Sequence, residues 1–147
     1  MPVSFARNIG AVFDQEMTLV EHVITICKTC FLHLRNIAKI RDSLSQKDTE
    51  ILVHAFFSSK LDSCNSLLYG LPQSLIDILQ AVQNCAARFA TRSRKHDHIT
   101  PILKQLHWLP VYSRIKYKIL LLTFKAVHGL APSYITEMLQ RYRSRRA

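Results

Sequence analysis

The stretch HITPILKQLHWLPVYSRIKYKILLLTFKAVHGLAPSY, residues 98–134, reads as a helical hairpin spelled out in caps and breakers. Thr100 before Pro101 is an N-cap followed by a first-turn proline, whose missing N–H costs nothing where no intrahelical acceptor exists. Pro110 opens a longer helix that Gly129 can close, and Pro132 starts a third. Between Pro110 and Gly129, the residues Ile115, Ile119, Leu120, Leu122, Phe124 and Val127 leave little polar surface. That predicts a core helix mostly enclosed by its neighbours, with Leu120 and Phe124 inside. Arg114, Lys118 and Lys125 fall within about 40° of one another when each residue turns the helix by about 100°. This narrow charged line must face solvent or a polyanion.

The same punctuation runs upstream. Thr18 and Glu21 have capping-box spacing, and Val20, Ile24, Cys27, Phe31, Leu34 and Ala38 then step by four and three, which predicts a helix with that stripe turned inward. Lys28, Arg35 and Lys39 line its polar face. Ser45 and Asp48 form a second capping pair for a helix through Ile51, Leu52, Ala55 and Phe56 that ends near 58–61. Cys64, Leu67 and Leu68 admit a further short helix before Gly70 and Pro72 break the chain. From Pro72, the spacing of Leu75, Leu79, Val82, Ala86 and Phe89 predicts a helix to about Arg92, with Arg88, Arg92 and Lys95 as a basic edge. The loop SRKHDH, 93–98, leads into the opening hairpin. Val3–Phe13, rich in β-branched and aromatic residues, reads as a strand or strand pair.

These elements predict a mainly α fold, a compact bundle of five or six helices with a short N-terminal β segment. The boundaries are 1–14 for the β segment, 15–142 for the helical domain, and 143–147 for a basic tail too short to pack, which should fray.

Composition narrows the function. At 147 residues and 48% hydrophobic, the chain can bury a real core and is not disordered in kind. Its net charge of +10 is unevenly placed: residues 1–87 carry 7 basic and 8 acidic side chains, residues 88–147 carry 13 and 2. A neutral half beside a strongly basic one suggests a surface that meets nucleic acid or an anionic membrane, with solubility as the plainer reading. Four cysteines without a secretory signal point to reduced thiols in a cytoplasmic or nuclear protein. The longest apolar run, Ile119–Leu122, is far below the roughly 20 residues a membrane span needs, so no membrane partner is expected.

The constellations that could carry chemistry are weak. Cys27 and Cys30 with His33 have zinc-like types, but no second Cys-x-x-Cys exists and both cysteines fall on the apolar stripe, where a buried thiol is the plainer reading. His96, Asp97 and His98 read as a polar turn rather than an acid–base site, because no nucleophile or orienting partner stands at a useful spacing. No glycine-rich phosphate loop or nucleophile elbow appears. No metal, cofactor or small-molecule substrate is expected. Phosphate contact needs spaced cations on a rigid element, and Arg88, Arg92, Arg94, Lys95, Arg114, Lys118 and Lys125 offer them as one expected patch. Trp108, with His107 and Tyr112, could interleave aromatic surface with that charge, although a tryptophan before Leu109–Pro110 reads first as a core plug.

Two long strings carry a resemblance. ITPILKQLHWLPVYSRIKYKILLLTFKAVHGLAPSYI at 99–135 and LDSCNSLLYGLPQSLIDILQAVQNCAARFATR at 61–92 resemble the segment that follows the polymerase core in reverse transcriptases of LINE-type (non-LTR, jockey-like) retrotransposons. The similarity runs from about Gly10 to Tyr142. It implies that the first residues are the last strand leaving a polymerase palm, that the catalytic palm itself lies upstream of Met1, and that the helices are the thumb and post-core region, which holds template and primer. Polymerase chemistry needs carboxylates that hold two divalent ions, and the family supplies them with a paired-aspartate motif. This sequence contains no Asp-Asp. The expectation is therefore a non-catalytic fragment that binds RNA or DNA backbone with low specificity. The alternative is a helical protein-interaction or scaffold fragment, or an inactive retrotransposon relic.

Overall fold

The computed structural model describes residues 5–139, so the expected frayed tail at 143–147 lies outside the described residues. Two short strands, β1 (Phe5–Asn8) and β2 (Ala11–Asp14), pair antiparallel with Phe5 opposite Asp14 and Asn8 opposite Ala11. Ile9 and Gly10 between them have φ of 48° and 87°, the two left-handed residues a tight hairpin turn requires. Glycine takes that conformation freely, whereas a β-branched isoleucine does so against its own side chain. A two-stranded ribbon cannot stand alone, and this one rests on the first helix through buried Ala11.

Six helical segments follow among the described residues: α1 (Val20–Ile40), a rod made of α2 (Gln46–Val53), a π turn and α3 (Ser59–Asp62), then α4 (Gln73–Thr91), α5 (Ile99–Gln105), α6 (Val111–Val127) and α7 (Ser133–Glu137). A 3₁₀ turn at Asn65–Leu68 takes the place of the short helix expected around Cys64 to Leu68. The molecule is thus a mainly α bundle with a short N-terminal hairpin, as its periodicity predicts.

The caps explain where each rod begins. The Ser45 hydroxyl accepts from the Asp48 N–H at 3.1 Å and donates to the Asp48 carboxylate at 2.6 Å, so the expected second capping pair forms. The expected Thr18–Glu21 box does not. Leu19, in the left-handed region at φ 59°, precedes α1 without a side-chain cap. The preceding turn is organised instead by the Asp14 carboxylate, which accepts from the N–H groups of Glu16, Thr18 and Leu19 and from the Thr18 hydroxyl. These bonds, Thr18's first, hold the Asp14 carboxyl below its usual range. Pro72, Pro110 and Pro132 each stand immediately before a helix. Pro101 lies inside the first turn of α5, which starts two residues earlier than Thr100 and Pro101 suggested. Gly129, at φ 68°, closes α6: the Leu130 N–H returns to the Lys125 carbonyl at 2.7 Å.

The core runs through the middle of the bundle. Val23, Ile26, Cys30, Leu34 and Ile37 of α1 meet Val53, Phe57 and Leu61 of the second rod and Leu79, Val82, Ala86 and Ala90 of α4. Trp108 is the core plug its position suggested, with its ring parallel to Phe57 at 6.0 Å between centroids. Two glutamines, Gln83 buried and Gln80 half-buried, fix where α6 starts. Gln83 donates to the Leu109 carbonyl and Gln80 accepts from the Val111 N–H, both at 2.9 Å, while Gln80 donates to Gln83.

Two expected core faces, on α1 and α6, are rotated, and the second rod buries a line other than the apolar residues that mark it in the sequence. On α1 the buried line is Val23, Ile26, Cys30, Leu34 and Ile37; of the expected stripe only Leu34 is buried, and Val20, Phe31 and Ala38 are exposed. On the second rod the buried residues step by four, Thr49, Val53, Phe57 and Leu61, because the π turn widens the helix in mid-course. Ile51, Ala55 and Phe56 are exposed. On α6 the correction is larger. Leu120 is 58% exposed and Phe124 55% exposed, so neither belongs to the core. Val111, Ile115 and Ala126 are buried and lie within about 60° of one another on the opposite side of the helix. α6 packs mainly against α3, the 3₁₀ turn, α4 and α7, which leaves its other side uncovered among the described residues.

His22 ties the hairpin to α1 and makes the joint sensitive to acid. The Val12 N–H donates to His22 Nδ1 at 3.4 Å, which puts the imidazole proton on Nε2, a buried atom with no hydrogen-bond partner among the described residues. Burial pushes the His22 pKa below the usual 6.5. The unfolded chain therefore takes up the proton more readily than the folded one. The stability this site contributes is full above about pH 6.5 and is lost as pH falls from there through the lower folded value. Urea midpoints measured between about pH 8 and pH 5 should fall on acidification in the wild type and fall less in His22→Phe; parallel curves would show that another group is responsible.

Candidate nucleic-acid interface

The seven cations expected to form one patch lie in three places. Arg88 and Arg92, on and just past the last turns of α4, and Lys95 in the following loop line a groove of about 680 Å³ that is closed on its other side by Arg41 and Asp42 at the end of α1. Phe89, Ala81 and Cys85 form its apolar floor. Arg94 belongs to the same loop but is not among the groove's lining residues. Asp97 folds the loop back: its carboxylate accepts from the Arg94 N–H at 2.6 Å, its own N–H donates to the Arg94 carbonyl, and its carbonyl accepts from Arg88 Nη2 at 3.2 Å. Arg88 Nε is buried and has no partner among the described residues.

Arg114 and Lys118 line a second cavity of about 300 Å³ with Asp62, Asn65 and His107. Arg114 is already engaged there. Its Nη1 reaches both Asp62 oxygens at 2.9 and 2.8 Å, and its Nε donates to the Leu109 carbonyl at 2.9 Å. The guanidinium therefore serves as a clamp between α6 and α3, with its charge neutralised. Lys125 is exposed on the last turn of α6 and lines neither space.

Arg92 sits at a position that favours glycine. It follows α4 in the left-handed region at φ 55°, and the Ser93 N–H returns to the Arg88 carbonyl at 3.1 Å, closing the helix as a glycine normally would. A side chain in that conformation costs on the order of 1 kcal/mol. The cation is held at the groove's mouth at that cost.

Arg41 is the residue that sequence reasoning missed. It is buried, its Nη2 donates to the carbonyls of Phe89 and Ala90 at 3.3 Å, its Nη1 donates to the Thr49 hydroxyl, and its guanidinium lies 5.3 Å from the Phe89 ring centroid. It fastens the end of α4 to the end of α1 and so fixes the groove's width. Burial and the nearby Arg92 lower its pKa, with Asp42 and Glu50 opposing. No sequence spacing could announce a pairing across about fifty residues.

The cysteine–histidine constellation is not assembled as a metal site. Cys30 is buried in the core and Cys27 half-buried, while His33 stacks on Phe56 at 5.1 Å. Burial, with Cys27 beside it and Lys60 opposing, pushes the Cys30 thiol up to about 12. Among the described residues no three His, Cys, Asp or Glu side chains group as ligands, and no helix is long and apolar enough to cross a membrane. Comparison with protein-family models, curated proteins and solved structures finds no match to this chain.

Proposed function

We propose that this chain is a non-catalytic nucleic-acid-binding domain that grips the phosphate backbone of RNA or DNA in the groove at the C-terminal end of α4. The observation that supports this reading is the convergence of Arg88, Arg92 and Lys95 on one groove whose only lining carboxylate among the described residues is Asp42, with one of the cations held in a left-handed conformation. Cations on a rigid helix end contact phosphates without reading bases. A protein that kept Arg92 for packing alone would be better served there by glycine. The resemblance to the thumb and post-core region of LINE-type reverse transcriptases points the same way: in a longer polypeptide such a groove would hold template and primer beside a polymerase palm.

The test is a salt titration by fluorescence anisotropy on one labelled RNA hairpin. Arg88→Gln/Arg92→Gln/Lys95→Gln should flatten the log–log dependence of affinity on salt by roughly 0.7 to 0.9 for each phosphate contact removed. Arg92→Gly should weaken binding while leaving stability within about 1 kcal/mol of wild type, because glycine relieves the strained backbone. A slope unchanged in the triple variant but flattened in Lys118→Gln/Lys125→Gln would move the site to α6. A slope unchanged in both would remove the reading altogether.

A further inference from the structure

The apolar stripe that α1 does not bury runs along a second groove, of about 530 Å³, between α1 and α4. Ile24, Cys27, Phe31 and Leu32 from α1 and Ile78 from α4 line it; Phe31, Leu32 and Ile78 are each roughly half exposed. Together with Val23, Ile26, Cys30, Leu34 and Ile37 on the core side, they make α1 apolar on two adjacent faces. A helix that only closed this bundle would need one such face. Exposed large side chains gathered in a concave space, rather than scattered singly, mark a contact surface.

Charge identifies the occupant. Lys28 and Arg35 stand on this groove, exposed, and among the described residues no carboxylate lines it. They are seven residues apart, two helical turns or about 10 Å along α1, and the stripe from Ile24 to Arg35 is about 16 Å long. A second copy of this chain fits poorly. Of its other exposed apolar side chains, Tyr117, Leu120 and Phe124 on α6 are accompanied by Lys116, Lys118 and Lys125, and α6 carries no acidic residue; Ile51 and Phe56 on the second rod, near Asp48 and Glu50, span less than about two turns, short of the three-turn groove. The α1 or α6 face of a second copy would bring cations onto cations. We propose that the α1–α4 groove binds an amphipathic helix of another protein, one with an apolar face about three turns long and two carboxylates two turns apart that meet Lys28 and Arg35. This inference does not rest on the nucleic-acid reading, since the groove shares no lining residue with the basic one.

The probes are two synthetic amphipathic helices with the same leucine face, one carrying glutamates two turns apart and the other lysines at those positions. Anisotropy on the full chain should show the glutamate helix binding at least about tenfold more tightly at low salt, equivalent to about 1.4 kcal/mol. Lys28→Glu/Arg35→Glu should reverse that preference. Phe31→Ser/Leu32→Ser should abolish binding of the glutamate helix while RNA-hairpin affinity and thermal midpoint stay at wild-type values, since both positions are exposed. Failure of the glutamate helix to bind, or an unchanged preference in the charge-reversed variant, overturns the proposal. So does a concentration-dependent dimer in sedimentation that Phe31→Ser/Leu32→Ser dissolves, or a loss of RNA binding in that variant, either of which gives the groove to a different occupant.

Discussion

Phe57→Ala should lower the unfolding free energy by about 3 to 5 kcal/mol, the range for emptying a large aromatic site in a packed core. Phe57 is 1% exposed, lies parallel to Trp108, and sits where the second helical rod meets α1 and the α5–α6 connection. Removing it leaves a cavity among Trp108, in the α5–α6 connection, and Val53 and Leu61, one turn away on either side along the same rod, which cannot all move inward. Phe124→Ala is the contrasting case. Although the periodicity of α6 suggests a core residue, Phe124 is largely exposed and touches the His128 ring at 4.2 Å. Its loss should change stability by no more than about 0.5 kcal/mol, as for ordinary surface positions. Urea midpoints of the two variants decide the matter. Equal losses would mean that α6 is enclosed after all, and an unchanged midpoint for Phe57→Ala would displace the centre of the core.

The contrast shows which parts of the fold were legible in the sequence. Helix limits were, because Ser45, Gly129 and the prolines act within a few residues of where they stand. The face each helix buries was less so. α1 and α6 carry more apolar residues than one face needs, so several stripes satisfy the spacing, and the choice among them depends on neighbours distant in sequence. Leu120 and Phe124 satisfy the helical period as well as Ile115 does, yet of the three only Ile115 is buried in the core. The π turn at 54–58 shifted the buried line of the second rod in a way that a fixed turn of about 100° per residue does not anticipate. The basic residues were legible as a list and not as a place. Arg88, Arg92 and Lys95 share a groove because α4 ends beside α1, whereas Arg114 is drawn off by Asp62, a partner fifty-two positions away.

The same dependence on distant partners governs the second large expected effect, at Arg41. Arg41→Met should lower stability by about 2 to 3 kcal/mol, in line with hydrogen bonds made by a charged group and with the cost of leaving their partners unmet. Phe89 and Ala90 present two of the last carbonyls of α4, which have no N–H donor further along the helix, and Arg41 supplies it. A cation there also complements the negative end of the helix. Methionine keeps much of the length and apolar stem while removing all the donors, so the measured loss reports the guanidinium rather than a cavity. Arg41→Lys should recover only part of it, because a single ammonium cannot span the two carbonyls and the Thr49 hydroxyl as a planar guanidinium does. The guanidinium stays charged throughout the accessible range, so the loss should be the same on both sides of the His22 transition. Hydrogen exchange gives an independent readout: the amides of the final turn of α4 should exchange faster in Arg41→Met than those at its centre. Since Arg41 also sets the spacing between α1 and α4, RNA affinity should fall in Arg41→Met although its guanidinium points inward to Thr49, Phe89 and Ala90. An unchanged urea midpoint together with unchanged exchange at 88–91 would show that the end of α4 holds itself, and the groove would then need another explanation for its shape.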